Sequence, residues 1–114
     1  MKLLALVVSI FVFVGIGWSA DLEAGKTKYD QLCASCHGPQ GAGDGPIAAG
    51  LPETQKPRDF QVADFKIATD DEKMKEVIQK GGMAFGLSPL MAPQPSLTGD
   101  DLNNVVAYVR TLKK

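Results

Sequence analysis

Hydrophobic positions are spread unevenly along the 114 residues. Residues 3–16 form an almost unbroken apolar run, and beyond Asp21 apolar and polar residues alternate at helical spacing in three places. Leu22, Gly25, Lys26, Tyr29, Leu32 and Cys33 recur with that period and predict a first helix running up to the cysteine. Within residues 69–81, Met74, Val77 and Ile78 make an apolar stripe; Thr69 and Glu72 predict a capping box, and Gly81 predicts the stop. Leu102, Val105, Val106, Val109 and Leu112 share one face of a terminal helix. Its start is marked by a Thr98 N-cap, a Leu97/Leu102 staple and acids in the first turn, and its end by Lys113-Lys114. Between the last two helices, Pro89, Pro93 and Pro95 fix φ and remove N–H groups, so residues 86–97 are read as a stiff loop. Gly25 leaves room for the first and last helices to approach closely, with Tyr108 placed to fill the gap.

The apolar run has a separate meaning. A basic start at Lys2, an apolar stretch and the mostly small residues Gly17-Trp18-Ser19-Ala20 have the shape of a secretory signal peptide over residues 1–20. An uncleaved membrane anchor is the alternative, since the stretch sits at the lower length limit for spanning. No cysteine lies near the junction, which excludes a lipoprotein anchor. The remaining domain, residues 21–114, keeps three Phe, two Tyr and no Trp. A domain this small buries only about two-thirds of the surface its unfolded chain exposes, and it often needs a disulfide, a metal or a cofactor. Twelve basic residues face thirteen acidic ones over the whole chain. No basic patch stands out, so a nucleic-acid partner has no support, and no single-sign run marks a docking face.

Both cysteines fall in Cys33-Ala34-Ser35-Cys36-His37. This spacing serves a redox dithiol, part of a zinc site, or covalent haem attachment. Zinc falls one ligand short, because two cysteines and the only histidine leave a position for a carboxylate to fill. A redox dithiol places its first cysteine at a helix N-terminus after a strand, where the dipole stabilises the thiolate. Here the preceding residues are helical, which favours haem. Two thiols at this spacing can each add to one vinyl group of a haem edge, and His37 then lies beneath the iron. One haem c per chain would also supply the missing core.

With no second histidine, the other face of the iron is left to a Met, a Lys, the N-terminal amine or an open site. Met74 reads as core on its helix stripe. Met83 follows Gly81-Gly82, and Met91 lies in the proline-rich loop. A stiff loop suits a weak neutral ligand, so Met91 is the favoured sulfur and Met83 the next.

Taken together, the chain resembles class I c-type cytochromes over residues 24–112. The likeness is carried by Gly25-x-x-x-Tyr29, Cys33-x-x-Cys36-His37-Gly38, the Gly41-x-Gly43-Asp44-Gly45-Pro46 loop, Met91, and Leu97-Thr98 leading into Val105-x-x-Tyr108-Val109. The resemblance implies an all-α cytochrome c fold, in which crossing N- and C-terminal helices, shorter helices and loops enclose a covalent haem. It also implies that a proline carbonyl shortly after the motif accepts the Nδ1 proton of the haem histidine, and Pro46 is the best match. In the absence of a mature-region tryptophan, Arg58 or Tyr29 is left to bond a haem propionate, with solvent exposure the favoured reading for Arg58. The expected function is a periplasmic, non-enzymatic electron carrier with iron held by His37 and Met91, serving redox-protein donors and acceptors. The competing expectations are a haem protein with an open or displaceable sixth site, and a fixed haem subunit of an oxidase or dehydrogenase.

Overall fold

The computed structural model describes residue 8 and residues 20–62 and 65–114. The expected signal or anchor over residues 1–20 therefore lies almost wholly outside the described residues. Among those described, no helix is long and apolar enough to cross a membrane.

All regular structure among the described residues is helical. Helix α1 spans Leu22–Leu32, α2 is the single turn Ala34–His37, α3 spans Asp71–Lys80 and α4 spans Gly99–Thr111. Short 3-10 turns at Ala48–Gly50, Glu53–Gln55 and Gly82–Phe85 punctuate the connections. The first helix starts where Asp21 accepts a hydrogen bond from Ala24 N at 3.0 Å. Such a cap is worth about 1 kcal/mol. An exposed Lys26–Asp30 pair at 2.7 Å lies one turn along the helix.

Helices α1 and α4 cross at Gly25. A Cβ on Gly25 would overlap the carbonyl oxygen of Asn104 and stand 3.1 Å from Tyr108 Cβ. The gap is thus filled by α4 backbone, with Tyr108 at its border. Asn104 also accepts the Asp21 N–H on its side-chain oxygen at 2.9 Å, tying the start of α1 to the middle of α4. Beneath the crossing lies one hydrophobic cluster of Tyr29, Met74, Ile78, Leu97, Leu102, Val105, Val106 and Val109. Each of these is an apolar position on a predicted helix stripe or in the Leu97/Leu102 staple.

One cap assignment shifts, and a second keeps its place without its side-chain bond. Asp70, one residue after Thr69, is the N-cap of α3 and accepts from Lys73 N at 2.8 Å. The predicted capping box does not form; Glu72 pairs instead with Lys75 at 2.9 Å. Asp caps at least as well as Thr, and a one-residue shift is all that separates the two choices. Thr98 does occupy the N-cap of α4, but its side chain makes no cap hydrogen bond. The far end of α4 is secured by Arg110, which bonds Asp71 Oδ1 at 2.9 Å and the Ala68 carbonyl at 3.3 Å, with its guanidinium 5.1 Å from the Phe65 ring centroid.

Replacing Gly25 with Ala should destabilise the protein by about 3 kcal/mol, because backbone on the far side of the clash cannot rotate away. Gly50→Ala, at a position with nothing within 4 Å of the added carbon, should stay within about 0.5 kcal/mol of the parent. Parallel denaturant melts of the two variants check the contrast.

Candidate cofactor site

The site is built at the point where α1 stops. Cys33 takes φ −123° and ψ −35°, and its N–H still bonds the Tyr29 carbonyl at 2.8 Å. The chain then makes one more turn, with His37 N on Cys33 O at 2.9 Å and Gly38 N on Ala34 O at 2.9 Å. Cys33 and Cys36 are thus set three residues apart on one turn. Both thiols are free and half-buried, and Cys33 packs against the hydrophobic cluster.

A one-turn helix leaves its last carbonyls without intrahelical partners. The glycine-rich loop supplies them. Gly43 N bonds His37 O at 2.8 Å, Gly45 N bonds Cys36 O at 3.0 Å and Ile47 N bonds Ser35 O at 3.0 Å. The loop comes so close that a Cβ on Gly45 would overlap the Ser35 carbonyl. Gly38 closes the turn at φ +85°. Its buried carbonyl accepts the Tyr29 hydroxyl at 2.6 Å, and burial raises the Tyr29 pKa and keeps that hydroxyl protonated. Tyr29 is consequently committed to the motif and is not free for a propionate.

Pro46 does not fill its expected place. The His37 Nδ1 bonds the Arg58 carbonyl at 3.1 Å, 21 residues further on. Pro46 is exposed, held between two loop amides that are tied to α2, while the segment ending at Phe60 runs past the imidazole. Phe60 N bonds Gly41 O at 2.7 Å, and the Phe60 ring stacks on the imidazole with centroids 4.2 Å apart. Arg58 itself is half-buried. Neither the Arg58 carbonyl nor Phe60 could be picked out from spacing: a main-chain acceptor has no residue signature, and a lone Phe reads as core.

Electrostatics sort the candidate chemistries. Burial lowers the His37 pKa below 6.5, outweighing the Arg58 carbonyl, which raises it. The ring is therefore neutral near pH 7. Since a carbonyl only accepts, Nδ1 carries the proton and the Nε2 lone pair is left available. Burial, and then Cys36, push the Cys33 thiol up to about 11. That is the opposite of the depressed thiol a redox dithiol requires. Among the described residues no three His, Cys, Asp or Glu side chains converge as a zinc site would need.

The three methionines of the domain have separate environments. Met74 is buried in the core at 4% exposure, and Met83 is 70% exposed. Met91 is half-buried and packed against the hydrophobic cluster. Its carbonyl accepts Gly82 N at 3.0 Å, its N–H bonds Ser88 O at 3.3 Å, and Gln94 N bonds Ile78 O at 2.9 Å. The proline loop is thereby fastened to the C-terminal end of α3.

The profile of the family described as cytochrome c matches residues 22–113. The chain belongs to the cytochrome c family. Cytochrome c-554(547) of Halothiobacillus neapolitanus is 41% identical over 98 residues, an alignment covering 83% of this chain and all of that protein. A solved chain from a reducing HAO-like protein complex of Kuenenia stuttgartiensis is similar in fold, with a TM-score of 0.70 and 29% identity. That match covers 83% of this chain and 43% of the Kuenenia chain, so the present chain spans less than half of that one's length. A cytochrome c of this family carries covalently bound haem c with its iron. The side chains fit such a group: two free thiols three residues apart on one turn, an adjacent neutral imidazole whose Nε2 carries the lone pair, and an apolar cluster alongside.

Tyr29→Phe removes the hydroxyl from Gly38 O, which keeps the Gly41 N–H at 3.1 Å, so it should cost about 0.5–1.5 kcal/mol in a denaturant melt.

Proposed function

We propose that this c-type haem electron-carrying protein is an exported, monohaem, non-enzymatic carrier whose iron is held between His37 and Met91. The observation that carries this reading is the hydrogen bond from His37 Nδ1 to the Arg58 carbonyl, because it fixes the tautomer that presents Nε2 to a metal. Cys33 and Cys36 would hold the haem as thioethers, each thiol adding across one vinyl group. Bound there, the haem supplies a one-electron ferric–ferrous couple.

The chain's own residues favour the reduced form. A neutral imidazole and a soft thioether stabilise ferrous iron relative to ferric, and apolar surroundings penalise the extra charge of the oxidised state. The backbone bonds at Met91 and the prolines around it limit motion between the two states, which keeps reorganisation small. Among the described residues, the histidine of the motif is engaged through Nδ1 and Tyr29 is bonded to Gly38, which supports a carrier over an acid–base catalyst. The N-terminal pattern supports export to the periplasm. Redox proteins are the partners that such a carrier serves.

A second reading is favoured by the likeness to a chain within the Kuenenia complex. On that reading the domain is a fixed haem subunit of a larger oxidase or dehydrogenase, and copurification from native membranes with a stoichiometric partner would establish it.

Met91→Ala should abolish the weak far-red absorption band of iron–thioether ligation in the oxidised protein and make the reduced protein bind carbon monoxide readily. Met83→Ala should change neither. A band lost in the second variant and kept in the first would move the ligand to Met83, and rapid carbon monoxide binding by the unmodified protein would overturn the carrier reading. The mature chain stripped of haem should show no cooperative melt by circular dichroism, since its small apolar cluster lacks the bound group's contribution.

A further inference from the structure

Residues 58–60 constrain His37 in two independent ways. The Arg58 carbonyl receives Nδ1–H at 3.1 Å. The Phe60 ring lies on the face of the imidazole, 4.2 Å between centroids and 14° from parallel. The hydrogen bond draws Nδ1 toward the Arg58 carbonyl, but its angular tolerance leaves the ring plane a range of orientations. Histidine χ2 is a broad torsion, so the covalent structure does not narrow that range. A flat neighbour on one face does.

Phe60 is itself held. Its N–H bonds Gly41 O at 2.7 Å, and its ring stacks with Phe65 at 5.8 Å and meets Tyr29 at 6.4 Å. Phe65 lies against the Arg110 guanidinium at 5.1 Å, which Asp71 and the Ala68 carbonyl anchor in turn. The backing is continuous from the imidazole to the last turn of α4. Stacked flat rings gain beyond the area they bury, and the gain depends on their relative orientation, so the contact selects one ring orientation from several.

We propose that Phe60 is a positioning residue that sets the azimuth of the His37 imidazole about its bond to the iron, with Phe65 and Arg110 as its backing. The inference rests on His37 being the axial ligand. In low-spin ferric haem, the plane of an axial imidazole splits two nearly degenerate iron orbitals. Its azimuth is therefore read in the anisotropy of the electron paramagnetic resonance spectrum and in the spread of the haem methyl proton shifts. An aliphatic side chain at residue 60 would keep the surroundings apolar without offering a flat face. It would release the azimuth while leaving the potential nearly in place.

The test uses the full haem-loaded protein. In the unmodified ferrous form, nuclear Overhauser contacts between the Phe60 and His37 rings, with an upfield ring-current shift of the imidazole protons, are expected; their absence overturns the proposal without any substitution. In the ferric form, Phe60→Leu should shift the largest g value and change the methyl spread by more than the line width, with little change in midpoint potential. Phe60→Tyr should retain the parent spectrum. Leu102→Ala, a core truncation on α4, should lower stability and also retain it. A Phe60→Leu spectrum superimposable on the parent, or an equal shift in Leu102→Ala, would sink the idea. Should the unmodified protein lack the low-spin spectrum of His/Met ligation, it is the ligand assignment that fails, an outcome distinct from a normal parent spectrum that Phe60→Leu leaves unmoved. If Phe60→Leu takes up no haem, the ring contacts in the unmodified protein decide.

Discussion

The fold depends on one close approach, the backbone of α4 at Asn104 set against Gly25 of α1. Because no side chain separates the helices there, Tyr29 one turn further along is carried into the cluster and fully buried. From that position its hydroxyl reaches Gly38 and fixes the end of the cysteine–histidine turn. A missing Cβ on one helix thus determines where a histidine ring stands at the end of it. Packing alone would tolerate a wider crossing; the hydrogen bond from a buried phenol would not, since a buried polar group without a partner costs more than the bond gains.

The site is assembled mainly from main chain. Three loop amides satisfy the carbonyls of α2, a carbonyl orients the imidazole, and main-chain bonds tether Met91 to the end of α3. Side chains contribute the chemistry, and the backbone supplies the geometry. This division suits a domain with few large hydrophobic residues: ordering each loop through its own amides needs little apolar surface, and the bound haem can then be enclosed by a modest cluster.

That division also explains what was legible in the sequence. The helices were, because amphipathic period, caps and glycine stops are local. The cysteines and histidine were, because their spacing is itself the chemistry. The stiff loop around Met91 was, because its prolines act on the backbone where they stand. The acceptor for His37 could not be found, since any residue can offer a carbonyl and Arg58 lies 21 residues away. Proximity in sequence favoured Pro46, but the loop amides that flank it are spent on α2. Thr69 lost its cap to Asp70 by a single residue, a margin that patterning does not resolve.

The bond from Asp21 to Asn104 fixes the point where the chain enters the domain. From there to Cys33 the path runs along α1, a distance of about 18 Å at 1.5 Å per residue. The entry point therefore lies well away from the turn that carries the cysteines and His37. One end of α1 is thus held by Asn104 and the other by the Tyr29 hydroxyl on Gly38, so a disturbance at the entry is absorbed before it reaches the haem-binding turn.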